Sequence, residues 1–227
     1  YFLENLQQIL KQKEKYGQSQ VGKGKTIVID YSAPNIAKPF GIGHLRSTII
    51  GQAIYNLYKF LGYKTIGDNH LGDWGTQFGK LIYQIQSKNL DVKKLTIEEL
   101  EKIYVEFHQQ VKENPKLDDE ARAWFKRLEE GDKKAKEIWQ ACKEISLKEF
   151  GRIYNLLGIK IDNALGESFY ENAMEGIEDK IFQKGRARKI TEKPLDSYNY
   201  IVSGSRGTTI AMPTGLPELV LRRYDGT

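Results

Sequence analysis

Lys38, Gly41, Gly43 and His44 crowd into one short stretch, Tyr31-Ser-Ala-Pro-Asn-Ile-Ala-Lys-Pro-Phe-Gly-Ile-Gly-His-Leu-Arg-Ser-Thr48. The stretch leaves an apolar, β-rich run, turns at Pro34, Pro39, Gly41 and Gly43, and then passes without further breakers into a helical pattern. A strand, a glycine-bearing turn and a helix in that order gather unpaired backbone N–H groups and the positive end of the helix dipole at one point. Such a point stabilises phosphate or carboxylate, and Lys38 and His44 flank it as donors. The outline is that of a nucleotide site, although a short Gly-x-Gly before a helix is also what an ordinary tight turn contains. Ser47 and Ser168 have no neighbouring base, so the sequence offers no activated serine nucleophile.

The elements that must position these groups read as α/β. Thr26-Ile-Val-Ile-Asp30 predicts a strand at about 25–31, and Ile50, Ala53, Ile54, Leu57 and Leu61 predict a helix at about 44–61 that Gly62 ends. Tyr63-Lys-Thr-Ile66 predicts a second, parallel strand, completing a βαβ unit. The turn Gly67-Asp-Asn-His-Leu-Gly-Asp73 then leads into a helix at about 74–88. This is half of a doubly wound, Rossmann-like parallel sheet, in which ligands lie beyond the C-terminal strand ends. The Ser32 and Asn69 loops both leave those ends and are expected to share one cleft.

From about 91 to 158 the pattern changes to a helical insertion. Thr96-Ile-Glu-Glu99 is a capping box, followed by Leu100, Ile103, Tyr104, Phe107 and Val111 on one face. Pro115 breaks that helix; Ala121, Trp124, Phe125 and Leu128 mark a second, and Ile138, Cys142, Ile145, Ile153 and Leu157 a third over about 133–157. These aromatic stripes read as core, with His108 packed among them or at the surface. Upstream, residues 1–16 predict a short helix carrying Phe2, Leu3, Leu6, Ile9 and Leu10, and residues 17–24 a polar linker. Downstream, a helix at about 171–184 and short strands near 198–202, 207–211 and 218–224 are expected, with a loop marked by Pro213, Gly215 and Pro217.

At 227 residues, 40% hydrophobic, 29% charged and with a mean hydropathy of −0.55, the chain fits one large domain with an insertion and a soluble class. No apolar run approaches the ~20 residues a bilayer requires, and no secretory signal opens the chain. The absence of an initiator Met suggests an excised piece. A single cysteine, Cys142, excludes an internal disulfide and fits a reducing, cytoplasmic setting. His44, His70, His108 and Cys142 show no metal-ligand spacing, so no structural metal is expected. The formal charge of +5 agrees only weakly with a polyanionic partner. The clusters Lys184-Gly-Arg-Ala-Arg-Lys189 and Arg222-Arg223 read as solvated loops.

Taken as a whole string, Ser32–Thr48 resembles the first signature of arginyl-tRNA synthetases, a class I aminoacyl-tRNA synthetase family. Gly67-Asp-Asn-His-Leu-Gly-Asp-Trp-Gly-Thr-Gln-Phe-Gly79 is similar to the family's next loop, and Leu165-Gly-Glu-Ser-Phe-Tyr170 to its motif after the insertion. Val220-Leu-Arg-Arg-Tyr-Asp-Gly-Thr227 looks like its last strand before a tyrosine-bearing helix. The resemblance implies ATP-dependent activation of arginine to an adenylate and transfer to tRNA(Arg), with Mg2+ accompanying ATP and no metal held by the protein. It implies that His44 and Lys38 act on the phosphates, and that Gly41 and Gly43 belong to the ATP site, Gly43 letting the nucleotide approach the backbone. It implies that Asn35 binds the amino-acid backbone of arginine, that Asp30 and Glu167 meet its positive groups, and that His70 and Gln77 line the same cleft with Trp74 packed beneath. Residues 1–20 would end a preceding domain and its linker, and residues 21–227 would be part of the catalytic domain. The parent would be a cytoplasmic monomer with tRNA(Arg), L-arginine and ATP as partners and no membrane association.

Two positions depart from the family pattern. Gly41 stands where histidine is usual, and Ala33 where serine is common. A lost charge-assisted donor is worth roughly 1.5–3 kcal/mol, so another donor is expected to compensate at Gly41. The family's arginine-reading helix, its later lysine-rich loop and its anticodon-binding domain would follow Thr227, so this piece alone is expected to be inert. Three alternatives stay open: another class I synthetase, a nucleotidyltransferase with a similar phosphate loop, and a synthetase-derived binding module without chemistry.

Overall fold

A computed structural model describes residues 1–173, 180–181, 183–184, 187–190, 208–211 and 219–222, the last three spans as backbone only. The chain forms two compact units, Tyr1–Ser168 and Phe169–Thr227.

In the first unit, α1 (Phe2–Gln12) precedes β1 (Thr26–Asp30), α2 (Ile42–Phe60) and β2 (Lys64–Asp68). The β-branched run Thr26-Ile-Val-Ile favours the extended backbone, and β1 pairs with β2 in parallel from Thr26↔Lys64 to Asp30↔Asp68. The expected βαβ unit is present. Gly62, at φ +85, takes the left-handed conformation that lets the chain turn from α2 into β2. After the helix that ends at Leu157, the returning chain runs beside β2: Asp162 N–H and Asn163 N–H both donate to Gly67 O, at 2.9 and 3.0 Å.

The packing of α2 differs from the obvious reading of its apolar stripe. The helix buries Thr48, Gly51, Gln52 and Tyr55. Ile49, Ile50, Ile54 and Leu57 remain 48%, 53%, 38% and 62% exposed. The cause is Gly51. Its missing side chain admits the Tyr31 ring of the β1 exit, which a Cβ would overlap, while Gln52 Oε1 accepts from Tyr31 Oη at 3.1 Å and from Lys160 N–H at 2.6 Å. Periodicity identified the helix, but close backbone approach selected its buried face.

The insertion contains α4 (Ile97–Glu113), α5 (Lys116–Glu129) and α6 (Lys133–Leu157), packed with α3 (Thr76–Ser87). The capping box forms as expected: Glu99 N–H donates to Thr96 Oγ1 at 3.3 Å, and Thr96 N–H to Glu99 Oε2 at 2.7 Å. Asp132 caps α6 through Ala135 N–H at 2.9 Å, and Gly158 ends it at φ +65. Phe78, Leu81, Ile82, Leu100, Phe107, Phe125, Leu128 and Phe150 form the core, so the aromatic stripes are structural. Gly79 permits the closest crossing, since a Cβ there would overlap the Ala121 carbonyl oxygen of α5. His108 packs against Tyr104 and Phe107, with ring centroids 4.6 and 6.1 Å away.

In the second unit, β3 (Ala187–Ile190), β4 (Thr208–Ala211) and β5 (Leu219–Arg222) form an antiparallel sheet in that order. Two of these strands were expected. β3 was not: Lys184–Lys189 read as a solvated loop, whereas the backbone from Ala187 pairs with β4 as the first strand of this sheet. The helix expected at about 171–184 falls largely outside the described residues; a 3-10 segment spans Glu167–Ala173, and positions 180, 181 and 183 are helical. The strand expected near 198–202 and the Pro213–Pro217 loop lie outside the described residues.

Candidate active site

The site begins where β1 stops. Tyr31 N–H still donates to Asp68 O at 3.0 Å, and the backbone then leaves ordinary geometry. Ser32, Ala33 and Ala37 have φ of 77°, 48° and 59°. Residues with a Cβ persist there only when their surroundings over-determine them. That condition is met. Thr48 Oγ1 lies 2.8 Å from Ser32 Oγ, Asn69 Oδ1 accepts from Ala33 N–H at 2.9 Å, and Ser146 Oγ accepts from Ala37 N–H at 2.7 Å. Tyr154 Oη lies 2.6 Å from Ser32 Oγ and accepts from Asn69 Nδ2 at 3.1 Å.

Between these strained residues the loop meets the second block. Gly72 N–H donates to Pro34 O at 3.2 Å and Ile36 N–H to Gly72 O at 3.1 Å, a short parallel bridge centred on Asn35 and Gly72. Asn35 is exposed, and its Oδ1 occupies space that a Cβ on Gly72 would fill. One residue further, Trp74 N–H donates to Glu167 Oε2 at 3.3 Å, and Glu167 N–H donates to Leu71 O at 3.0 Å. Asn35 and Glu167 are thus both attached to the Gly72–Trp74 backbone.

Asp73, inside that segment, is completely buried. Lys143 Nζ lies 2.5 Å from its Oδ2, Ser168 donates through N–H at 2.9 Å and Oγ at 2.7 Å, and Trp139 Nε1 donates to its carbonyl at 2.8 Å. Ser168 therefore serves Asp73. Trp74 packs edge-on to Trp139 and Phe125, with centroids 5.5 and 5.7 Å away. Gly75 turns the chain into α3 at φ +125, a region closed to other residues. Gln77 ties that turn by donating to Trp74 O at 3.0 Å.

At the start of α2, Gly41 is the N-cap and has no side chain to satisfy the first-turn N–H groups. Its own N–H donates to His44 Nδ1 at 3.1 Å. An accepting Nδ1 in a neutral imidazole leaves the proton on Nε2, which makes that nitrogen a donor. A Cβ on Gly43 would meet nothing within 4 Å, so backbone approach there is open. Thr48 Oγ1 and Ser47 Oγ donate back to His44 O, at 2.6 and 3.0 Å, and brace the turn.

The remaining expected residues are placed differently from one another. Lys38 directs its ammonium over the Tyr104 ring of α4, 5.3 Å from the centroid, rather than along the start of α2. There it joins Lys80 and Lys112 around His108, whose imidazole is held below its usual range by burial first and by these cations second. Asp30 is exposed at the end of β1 and is the register partner of Asp68, so two carboxylates stand side by side at the strand ends. His70 is half-buried in the loop leaving β2.

Asp73, Lys143, Ser146 and Tyr154 carry this architecture and were not singled out from sequence. A signal existed in α6: Ser146, Phe150 and Tyr154 fall every fourth position on one helical face, and two of the three carry hydroxyls within an otherwise apolar stripe.

Residues 5–195 match the family model for tRNA synthetases class I (R), catalytic domain. The chain belongs to the class I arginyl-tRNA synthetase family. The arginine–tRNA ligase of Clostridium botulinum (strain 657 / Type Ba4) is 47% identical over 232 aligned positions, covering 97% of this chain and 41% of that ligase. The ligase of Clostridioides difficile (strain 630) is 43% identical with the same coverage. The chain thus spans about two-fifths of the length of these relatives. Among solved structures, the arginyl-tRNA synthetase of Plasmodium falciparum matches with a TM-score of 0.66 and 28% identity, over 92% of this chain and 33% of that one. The Thermus thermophilus arginyl-tRNA synthetase shares the fold, with a TM-score of 0.64 at 18% identity over 96% of this chain and 36% of that one. The Ser32–Thr48 stretch contains the strained Ser32–Ala37 segment, and the Gly67–Gly79 and Leu165–Tyr170 stretches meet at Asp73.

Proposed function

We propose that this chain is part of an arginine–tRNA ligase and that the loops around Gly72 bind arginine beside ATP. The observation that carries the reading is the attachment of Asn35 and Glu167, far apart in the sequence, to one short backbone segment, Gly72–Trp74. In the first step an arginine carboxylate oxygen attacks the α-phosphorus of MgATP. A C–O–P linkage forms and the bond to pyrophosphate breaks. In the second, a terminal ribose hydroxyl of tRNA(Arg) attacks the adenylate carbonyl, loses its proton, and AMP leaves.

The first step needs alignment and charge stabilisation more than proton transfer. His44 Nε2 and the uncapped first-turn N–H groups of α2 face the phosphates, and the bare Gly43 backbone lets the nucleotide lie close. Those N–H groups are the donors that make up for Gly41. Lys38 reaches the phosphates by leaving the Tyr104 ring. Asn35 holds the backbone groups of arginine. Glu167 and Asp30 supply carboxylates to its positive ends, a pairing well matched to a planar guanidinium, with His70 and Gln77 lining the cleft. Among the described residues no helix is long and apolar enough to cross a membrane.

The test is ATP–pyrophosphate exchange by the full-length protein in the presence of tRNA. Exchange that requires arginine supports the reading. Exchange with a different amino acid assigns another class I synthetase, and bound ATP without exchange assigns a binding module.

A further inference from the structure

We propose that Tyr154 is a positioning residue for the arginine-binding loop, its hydroxyl holding Ser32 and Asn69 so that Ala33 and Asn35 keep their binding conformation. The inference rests on the arginine-activation reading for its kinetic consequence, but its geometric content stands apart from it. The phenol oxygen closes a ring of polar groups. It lies 2.6 Å from Ser32 Oγ and 3.1 Å from Asn69 Nδ2. Because Asn69 presents Nδ2 to Tyr154, its Oδ1 is turned to the Ala33 N–H, 2.9 Å away. The ring therefore returns to the residue next to its start and spans the two consecutive left-handed residues, Ser32 and Ala33.

A two-residue excursion of this kind relaxes once its outside constraints are removed. Thr48 braces Ser32 from within the same βαβ unit, and Tyr154 braces it from α6. The same face of α6 holds the rest of the loop: Ser146 takes the Ala37 N–H, and Phe40 packs against both Phe150 and Tyr154, with centroids 6.0 and 5.9 Å away. The long insertion helix thereby acts as a rail along which the signature loop is registered. Asn35 lies between Ala33 and Ala37, so its side-chain position over Gly72 depends on both attachments.

Tyr154→Phe removes the hydroxyl and keeps the ring against Phe40. In the full-length protein, KM for arginine is expected to rise about tenfold with KM for ATP changed less than twofold, as fits loss of one hydrogen-bonded anchor. Ser32→Ala should do the same, and the double variant should be no worse than the weaker single one. Amide exchange at Ala33 and Ala37 supplies a readout that needs no substrate: Tyr154→Phe should speed exchange at Ala33 about tenfold while leaving Ala37 and the α3 amides unchanged. Unchanged exchange at Ala33, or an unchanged KM for arginine, overturns the proposal. A protein that activates no arginine removes the functional reading, and exchange at Ala33 then decides the positioning role by itself.

Discussion

Lys143 holds the carboxylate of Asp73 at 2.5 Å, joining the insertion helix α6 to a residue that is fully buried. Asp73 also accepts from Ser168, so one carboxylate fastens three separate stretches of the sequence. Glu167 is placed by that junction. A Cβ on Gly166 would overlap the Asp73 carboxylate, which explains the glycine of the third motif.

Removing one partner of such a pair leaves an uncompensated charge in a dry site. Lys143→Met is expected to destabilise the protein by about 2–4 kcal/mol, the lower part of the buried-pair range because Lys143 keeps some solvent contact. Adding Asp73→Asn should recover most of the loss. Chemical denaturation of both variants checks this, and equal stability of the single and double variants would count against it.

Gly72 tests the proposed arginine site without touching its charges. Gly72→Ala places a methyl group on Asn35 Oδ1, and the Asn35 side chain can rotate away at little cost to the fold. Arginine binding should weaken about 10- to 100-fold, as expected when a buried polar contact to a ligand is lost, with thermal stability nearly unchanged. Isothermal titration with arginine and a melting curve on the same sample give both numbers.

Gly79 offers the opposite outcome. A Cβ there overlaps the Ala121 carbonyl and stands 2.9 Å from Phe125 Cβ, and neither backbone nor packed ring can step aside. Gly79→Ala should cost about 2–3 kcal/mol by overpacking the α3–α5 crossing, measured by urea denaturation. A neutral effect would show that the two helices can separate freely.

Asp162 predicts an acid-range dependence. Gly67 N–H, 2.8 Å from Oδ2, holds this carboxyl below its ordinary value of 3.8, with Lys160 assisting at 3.3 Å. A depressed carboxyl contributes stability that is complete above the unfolded value and vanishes as pH falls through the folded one. Asp162→Asn should therefore lower Tm by roughly 2–4 °C at neutral pH, and the gap should close below about pH 4. A gap that widened on acidification would reverse the sign of this assignment.

Gly41 is not required by its backbone. Its φ of −88° is ordinary, and a Cβ would meet only His44 Nδ1 at 4.0 Å. Gly41→His should fold normally and, on the proposed reading in which first-turn N–H groups supply the donors, raise the pyrophosphate-exchange rate of the full-length protein less than tenfold. A larger gain would mean that no other donor had replaced the missing one.

Much of this was legible from the residues in order. The β1–α2–β2 unit, the capping box at Thr96, the break at Pro115 and the end of α6 at Gly158 all follow from local steric and hydrogen-bonding rules, which act within a few residues. The glycines of the motifs were legible because close approach of neighbouring groups, as at Gly72, Gly79 and Gly166, leaves no room for a side chain. What the order of residues left open was which side of each element would be used. On α2 the apolar stripe lost to the Gly51 side, because only a missing Cβ admits the Tyr31 ring. Lys38 went to Tyr104, a neighbour far along the chain. The junctions of Asp73 with Lys143 and of Ser32 with Tyr154 join positions 70 and 122 residues apart. Pairings of that separation are decided by how layers stack and which polar groups burial forces to find a partner, and neither is written in any local window of sequence.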